Sequence, residues 1–129
     1  MNEKDTILVI DPDEEYKEEL TSFLSKQGHK VKTGNTACEA IKVIQREKVC
    51  LLIMEVELED IAGDEVIPII KEIVPDVPII AMTQNNSQEL EVKVRKQGIF
   101  YYHIKSFGLG DLTVAVRNAF KGDKLWKKR

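Results

Sequence analysis

The sequence has few cysteines, no long apolar run and a small net charge, and each of these shortages excludes a class of protein. Its two cysteines, Cys38 and Cys50, are too few for a disulfide framework and lack the spacing of a zinc site. We expect both to be buried thiols in a reducing compartment. The longest apolar stretches, 51–54 and 77–82, are too short to cross a bilayer. Residues 1–5 are polar and carry no secretory signal, so we expect a cytoplasmic protein without membrane contact.

The charges are unevenly distributed, although the net charge is only −3. Acidic residues crowd 11–19 and 55–65, whereas the end of the chain, from Lys121 to Arg129, is basic. A basic end is typical of a solvated helix terminus, because cations suit the negative end of the helix dipole. The rest of the chain lacks a basic face and a recognisable reading helix, so no direct nucleic-acid role is expected.

Short apolar runs alternate with helical patterns along the whole chain. Strands are predicted at 6–10, 29–33, 49–54, 77–82 and 99–104. Between them, apolar residues recur at helical spacing, and Gly28, Pro75 and Gly98 stop the first, third and fourth helices. Thr36-x-x-Glu39 and Asn86-x-x-Glu89 resemble capping boxes that open two of the helices.

This alternation predicts an α/β fold in one domain. Five strands with short links to five helices favour a parallel sheet covered on both faces. Right-handed crossovers then favour a doubly wound, flavodoxin-like sheet of order 2-1-3-4-5. The domain is expected to span 1–122, followed by a basic tail at 123–129, where Trp126 is either disordered or docks on a partner.

Polar residues with complementary chemistry follow four of the predicted strands. The carboxyl ends of parallel strands form one edge of the sheet, where ligands bind near the topological switch point. The residues at that edge are Asp11, Asp13, Glu55, Glu57, Thr83 and Lys105. Carboxylates hold Mg²⁺, while a lysine and a hydroxyl stabilise a phosphoryl group.

Four stretches, in order and spacing, resemble the receiver domains of two-component response regulators. They are ILVIDPDEEY from Ile7, LLIMEVELEDIAGDEVI from Leu51, VPIIAMT from Val77 and GIFYYHIKSF from Gly98. The resemblance implies a signalling module rather than an enzyme. It aligns Asp11 with the first metal-binding acid, Glu55 with the phosphoacceptor aspartate, Thr83 with the phosphoryl-contacting hydroxyl, Tyr102 with the aromatic switch residue and Lys105 with the invariant lysine.

The sequence departs from the family pattern at this site. Pro12 stands where the second metal-binding acid is usual, and Asp13 could replace it only if the loop bends unusually. Ser106 replaces the proline of the family's cis Lys-Pro pair, so a trans bond that shifts Lys105 is expected. Glu55 is one methylene longer than aspartate, and a misplacement of about 1 Å can slow a reaction about a hundredfold. We therefore expect a pseudo-receiver that requires no cofactor and binds Mg²⁺ only weakly.

Several alternatives remain open at this point. A Mg²⁺-dependent acceptor with an atypical site is the main one. Glu55 could also pair with Lys105, reach toward Thr83 and mimic phosphorylation. Asp11 and Asp13 could instead cap the first helix, with Asp11 as the N-cap and Pro12 at the first helical position. His29 and His103 have no partner spacing that suggests a metal or a dyad.

The resemblance also implies protein partners. These would be a histidine kinase, a phosphotransfer protein or an output domain. The fourth helix, fifth strand and fifth helix form the surface through which receivers usually dimerise, so a homodimer through that surface is expected.

Overall fold

Five parallel strands, each followed by a helix, make up residues 6–121, the part of the chain that the computed structural model describes. The strands are β1 (Thr6–Ile10), β2 (Lys30–Gly34), β3 (Leu51–Glu55), β4 (Ile79–Thr83) and β5 (Tyr101–Ile104). The helices are α1 (Glu14–Lys26), α2 (Ala37–Arg46), α3 (Gly63–Ile73), α4 (Gln88–Arg95) and α5 (Gly110–Phe120). A short 3₁₀ turn, Lys105–Phe107, joins β5 to α5. The tail predicted at 123–129, with Trp126, lies outside the described residues.

The sheet has the strand order β2-β1-β3-β4-β5, which confirms the predicted topology. β1 pairs with β3 through Ile7 opposite Leu51, and β3 pairs with β4 through Leu52 opposite Ile79. Every residue of β1, β3 and β4 is buried, as expected for central strands covered on both faces. β1 and β3 are neighbours, so their carboxyl ends lie side by side.

Two hydrophobic cores cover the sheet, one on each face. Alternate residues of a strand point to opposite faces, so Leu8 belongs to one core and Ile7 to the other. Apolar residues of α2, α3 and α4 pack on the first face, among them Ala40, Ile70 and Val94. α1 and α5 pack on the second face.

Glycines end two of the helices where the sequence predicted. Gly28 follows α1 with φ 95°, and Gly98 follows α4 with φ 79°. This left-handed region is accessible to glycine without steric penalty. The next strands begin later than predicted, at Lys30 and Tyr101, because these glycine turns extend into the first predicted strand residues.

The helix starts confirm the predicted cap of α2, decide between the alternatives at α1 and correct the predicted cap of α4. Thr36 caps α2, and its hydroxyl accepts a hydrogen bond from the Glu39 amide at 3.1 Å. Of the two acids that the sequence offered as caps of α1, Asp13 is the cap, and its carboxylate accepts from the Tyr16 amide. The cap of α4 is Ser87, one residue after the predicted Asn86. In both cases the other candidate side chain is engaged in a tertiary contact.

The prediction of two buried thiols is wrong for Cys38. Its side chain is exposed, whereas Cys50 is partly buried. Cys38 lies in the first turn of α2, and that helix directs Ala37, Ala40 and Ile44 into the core. These residues are spaced three and four apart and share one face, so Cys38 falls on the outer side.

α5 is tied to β5 by a partly buried polar cluster. His103 on β5 is fully buried, and its Nδ1 lies 3.0 Å from Asp111 Oδ2 in the first turn of α5. The Tyr101 hydroxyl donates to the same carboxylate oxygen at 2.6 Å. His103 is thus a strand residue, as predicted, and its partner comes from the following helix.

Within residues 6–121, no helix combines the length and the apolar character needed to cross a membrane.

Candidate functional site

Three of the predicted site residues meet at the carboxyl edge of the sheet. Asp11 follows β1, Glu55 ends β3, and Lys105 follows β5. The Lys105 ammonium lies between the two acids, 2.6 Å from Asp11 Oδ2 and 2.7 Å from Glu55 Oε1. The side chains are almost inaccessible to solvent, with exposed fractions of 4% for Lys105, 0% for Asp11 and 5% for Glu55. The site is a buried salt-bridge triad with one cation and two anions.

The other oxygen of each carboxylate is bound by its own loop. Asp11 Oδ1 accepts from the Asp13 amide at 2.9 Å, and Glu55 Oε2 accepts from the Glu57 amide at 3.0 Å. Each acid therefore has one oxygen on the backbone and one on the ammonium. The amide hydrogen bonds and the ion pairs with Lys105 hold both side chains in place, and Asp11 Oδ2 meets the ammonium as an ion pair without a hydrogen bond among the described residues.

Burial and pairing shift the pKa values within the triad. Burial raises the pKa of Glu55, and the hydrogen bond from Lys105 only partly offsets that rise. Burial alone would lower the pKa of Lys105, but its hydrogen bonds to Asp11 and Glu55 outweigh burial and raise it. Lys105 therefore stays charged at neutral pH, and Glu55 is the acid that takes up a proton more readily than usual.

Tyr16 completes the site from α1, and the sequence pattern predicted it only as an apolar helix residue. The Lys105 ammonium lies 4.6 Å from the centroid of its ring. Burial, followed by the nearby Asp11 carboxylate, raises the pKa of Tyr16, so the phenol is neutral. Its position in the first turn was the available signal, because helical side chains point back toward the N-terminus and hence toward the β1–α1 loop.

Thr83 and Tyr102 lie near the triad but are not bonded to it. Thr83 ends β4 and is fully buried, and its hydroxyl has no hydrogen-bond partner among the described residues. Tyr102 is buried, and its hydroxyl donates to Asn86 Oδ1 at 2.7 Å, while the Arg95 guanidinium lies 5.3 Å from its ring centroid. The hydrogen bonds of Glu55 go to Lys105 and Glu57, so the contact with Thr83 that its length suggested is not formed.

Pro12, Asp13 and Ser106, the other residues flagged in the sequence, also have defined places. Asp13 is exposed, and its carboxylate caps α1 instead of entering the pocket. The bond between Lys105 and Ser106 is trans, as predicted, like every other peptide bond among the described residues. The expected displacement of Lys105 does not keep it from the acids, because its long side chain reaches both.

The arrangement of these residues does not fit a magnesium ion. Mg²⁺ requires several oxygen ligands in octahedral geometry. Here Asp11 and Glu55 direct oxygens to Lys105, and Pro12 contributes no side-chain oxygen. In the described part of the chain, no three histidine, cysteine, aspartate or glutamate side chains are grouped to hold a metal ion. The Lys105 ammonium occupies the position between the two acids that a metal cation would otherwise need.

The loop after Glu55 is fixed to the neighbouring helix by an acid that sequence reasoning did not identify. The Asp60 carboxylate accepts from the amides of Ala37 and Cys38, at 3.1 and 2.9 Å. These amides belong to the unpaired first turn of α2. Although desolvation opposes it, this backbone hydrogen bonding lowers the pKa of Asp60.

The same loop ends at Gly63, which packs so closely that an added Cβ would lie 2.8 Å from Val56 Cα.

Comparison with known proteins identifies the family. Residues 7–117 match the model of the response regulator receiver domain. The chain is 35% identical over 118 residues to the DNA-binding transcriptional regulator NtrC of Azospirillum brasilense, covering 92% of this chain and 24% of that protein. It is 26% identical over 127 residues to the transcriptional regulatory protein GlrR of Escherichia coli, covering 95% of this chain and 29% of that protein. The chain thus spans about a quarter of the length of these relatives.

Solved structures similar to this chain point to the same family. The beryllofluoride-activated NtrC4 receiver domain dimer is 28% identical, with a TM-score of 0.85 over 91% of this chain and 97% of that one. A two-component response regulator from Clostridium difficile is 27% identical, with a TM-score of 0.85 over 91% and 96%. The triad at the carboxyl edge, the strand order and these matches agree. The chain belongs to the response regulator receiver domain family.

Proposed function

We propose that this receiver domain signals through protein–protein interaction and does not accept a phosphoryl group in the usual way. The observation that carries the proposal is the Lys105 ammonium, held between Asp11 and Glu55 within 2.7 Å of each. In this state each carboxylate oxygen of the two acids contacts the ammonium or a backbone amide, so nucleophilic attack and divalent cation binding must both compete with these contacts.

The extra methylene of Glu55 supports this proposal. A carboxylate that attacks a phosphoryl group must lie in line with the bond that breaks, at near-attack distance. Glu55 is long enough to reach Lys105 with one oxygen and the Glu57 amide with the other. Attack would require the attacking oxygen to leave its present contact and turn in line inside a buried site, so we expect phosphotransfer to be very slow.

We further propose that the Glu55–Lys105 pair partly reproduces the phosphorylated state. If the site worked as in the receivers that this chain resembles, a phosphoryl oxygen would lie near this lysine and the aromatic switch residue would turn inward. The corresponding Tyr102 is buried and bonded to Asn86. A single carboxylate has less charge and fewer acceptors than a phosphoryl group, so the mimicry is partial.

The proposed partners are a histidine kinase, a phosphotransfer protein or an output domain, and a second copy of this chain. α4 and α5 each expose a valine, Val92 and Val114. A dimer through α4, β5 and α5 would cover apolar surface of this kind. Sedimentation of the wild type and of Val92→Glu tests this: we expect the charge to lower the dimer fraction, and a wild type that stays monomeric at high concentration would contradict it.

Acetyl phosphate with Mg²⁺ tests the central proposal. Separate samples of the wild type, Glu55→Asp and Glu55→Gln are treated with these reagents in parallel. Each sample is run on a phosphate-affinity gel, and its intact mass is measured as a second readout. We expect no modified wild-type protein, whereas the shorter acid of Glu55→Asp is freed from Lys105 and gains modification. A modified wild-type band that is lost in Glu55→Gln would overturn the proposal.

The second candidate is a Mg²⁺-dependent acceptor with an atypical site. The observation that favours it is Thr83, whose fully buried hydroxyl has no partner within the described residues. A buried unpaired hydroxyl is costly, and a phosphoryl oxygen would pair it. The same gel separates the two candidates.

A further inference from the structure

We infer that Tyr16 helps to decide which cation occupies this pocket. Its ring holds the Lys105 ammonium between Asp11 and Glu55, and so disfavours a divalent metal ion between the same two acids. The inference builds on the proposed function, because it explains what keeps the site closed. No part of the receiver resemblance assigns a role to this position.

The start of α1 directs Tyr16 toward the pocket. Asp13 caps the helix by accepting from the Tyr16 amide, which fixes that residue in the first turn. A helical side chain leans toward the N-terminus of its helix, so the ring covers the β1–α1 loop that carries Asp11. The result is an aromatic face 4.6 Å from Lys105 Nζ.

The surroundings of the Lys105 ammonium strengthen its attraction to the Tyr16 ring. Two carboxylate oxygens contact Lys105 Nζ, and the Tyr16 face is its third close neighbour. The lysine side chain is nearly fully buried, so water does not take that place freely. Attraction between a cation and an aromatic face is strongest when the cation is desolvated.

The same ring disfavours a magnesium ion. Mg²⁺ keeps several of its waters and needs oxygen ligands around it. An aromatic face supplies no such ligand and occupies the space that those waters would fill. The two acids could bind either cation, but the third wall of the pocket suits only the ammonium.

The hydroxyl of Tyr16 is not needed for this role. It is buried and has no hydrogen-bond partner among residues 6–121. Phenylalanine would retain the ring and remove the unpaired group, whereas leucine keeps a smaller apolar side chain and has no aromatic face. Tyr16→Phe and Tyr16→Leu are therefore a matched pair.

The first measurement needs no metal. In the NMR spectrum of the wild type, the ring current of Tyr16 should displace the ε-methylene protons of Lys105 upfield. We expect the displacement to persist in Tyr16→Phe and to be lost in Tyr16→Leu. Lys105 ε-protons at the position of a solvated lysine in the wild type would overturn the inference, whether or not the leucine variant folds.

The second measurement is a Mg²⁺ titration of the amides of Val56 and Glu57, with thermal unfolding as a check that each variant is folded. We expect the wild type and Tyr16→Phe to bind equally weakly, and Tyr16→Leu to bind about tenfold more tightly, the size of effect that a desolvated cation–π contact supports. Unchanged Mg²⁺ affinity in folded Tyr16→Leu would overturn the inference.

Lys105→Ala separates this inference from the proposed function. Removing the ammonium should open the acids to Mg²⁺ whatever Tyr16 does. If Lys105→Ala gains affinity and Tyr16→Leu does not, the closed site stands and the role of Tyr16 falls. If acetyl phosphate modifies the wild type while the ring-current shift is present, the proposed function falls and the contact between Tyr16 and Lys105 stands.

Discussion

Replacing Lys105 with methionine should destabilise the domain strongly. Methionine keeps an unbranched apolar side chain but removes the ammonium. Asp11 and Glu55, which expose 0% and 5% of their side chains, are then left with two buried negative charges and no cation. Removing one partner of a buried ion pair typically costs about 3–5 kcal/mol. Because small domains are stable by about 5–15 kcal/mol, Lys105→Met should remain folded but close to its limit.

Urea unfolding followed by circular dichroism at neutral pH measures this loss. With a slope of about 1–3 kcal/mol/M for a small protein, the urea midpoint should fall by at least about 1 M. The double variant with Glu55→Gln is the control, because it removes one of the two stranded charges. We expect it to be more stable than the sum of the single variants predicts, since residues in one ion-pair network couple by about 0.5–3 kcal/mol.

The pH dependence gives an independent check of the same reasoning. The pKa of Glu55 is already raised in the folded protein by burial, and loss of Lys105 removes the hydrogen bond that opposes that rise. A folded state with a raised carboxyl pKa binds more protons than the unfolded state, so its stability increases as pH falls toward the ordinary pKa of glutamate. Lys105→Met should therefore regain stability relative to the wild type on mild acidification. A loss below about 1 kcal/mol that does not change with pH would refute the triad, because buried unpaired carboxylates must show both effects.

Three further substitutions test the surrounding structure. Asp60→Ala should lower the free energy of unfolding by about 1 kcal/mol, as for loss of a helix cap. The difference in stability between variant and wild type should vanish as pH falls through the lowered pKa of Asp60. Equal urea midpoints at neutral pH would count against the capping role. Gly63→Ala should lower the unfolding temperature and cost about 1–3 kcal/mol, because its Cβ would lie 2.8 Å from Val56, and an unchanged temperature would be inconsistent with that contact. Asp111→Asn should lower the free energy of unfolding at neutral pH, because hydrogen bonds from Tyr101 and His103 outweigh desolvation and lower the pKa of Asp111. The free energy of unfolding of the variant should then change less with pH on the acid side than that of the wild type. Equal pH dependence in the two proteins would exclude this role of Asp111.

The fold followed from local patterns that leave few alternatives. Five apolar runs separated by helical periodicity, with Gly28 and Gly98 at helix ends, are compatible with few sheet topologies. The residues at the strand ends could be predicted for the same reason. Parallel strands end at one edge, so the sequence predicts that Asp11, Glu55 and Lys105 meet there.

What the sequence did not predict depends on contacts between distant segments. Asp60 reaches the start of α2 across more than twenty residues, and no local pattern indicates that contact. The position of Tyr16 over Lys105 depends on how α1 packs against the end of β5. The choice between Asp11 and Asp13 as the cap of α1 also depends on a tertiary contact, because the ion pair with Lys105 engages the Asp11 carboxylate and leaves Asp13 to cap the helix. The local pattern does not decide between two competing uses of one side chain, as for Asp11 and Asn86.

The most direct test of the account is a nitrogen-detected NMR measurement of the Lys105 ammonium in the wild-type protein at neutral pH. If Asp11 and Glu55 hold it as the structure indicates, its protons exchange slowly with water, and its signal correlates with both carboxylates and does not move when millimolar Mg²⁺ and acetyl phosphate are added. An ammonium that exchanges as fast as a solvated lysine, or that leaves the acids when Mg²⁺ is added, would contradict the claim that this receiver site is closed by its own lysine.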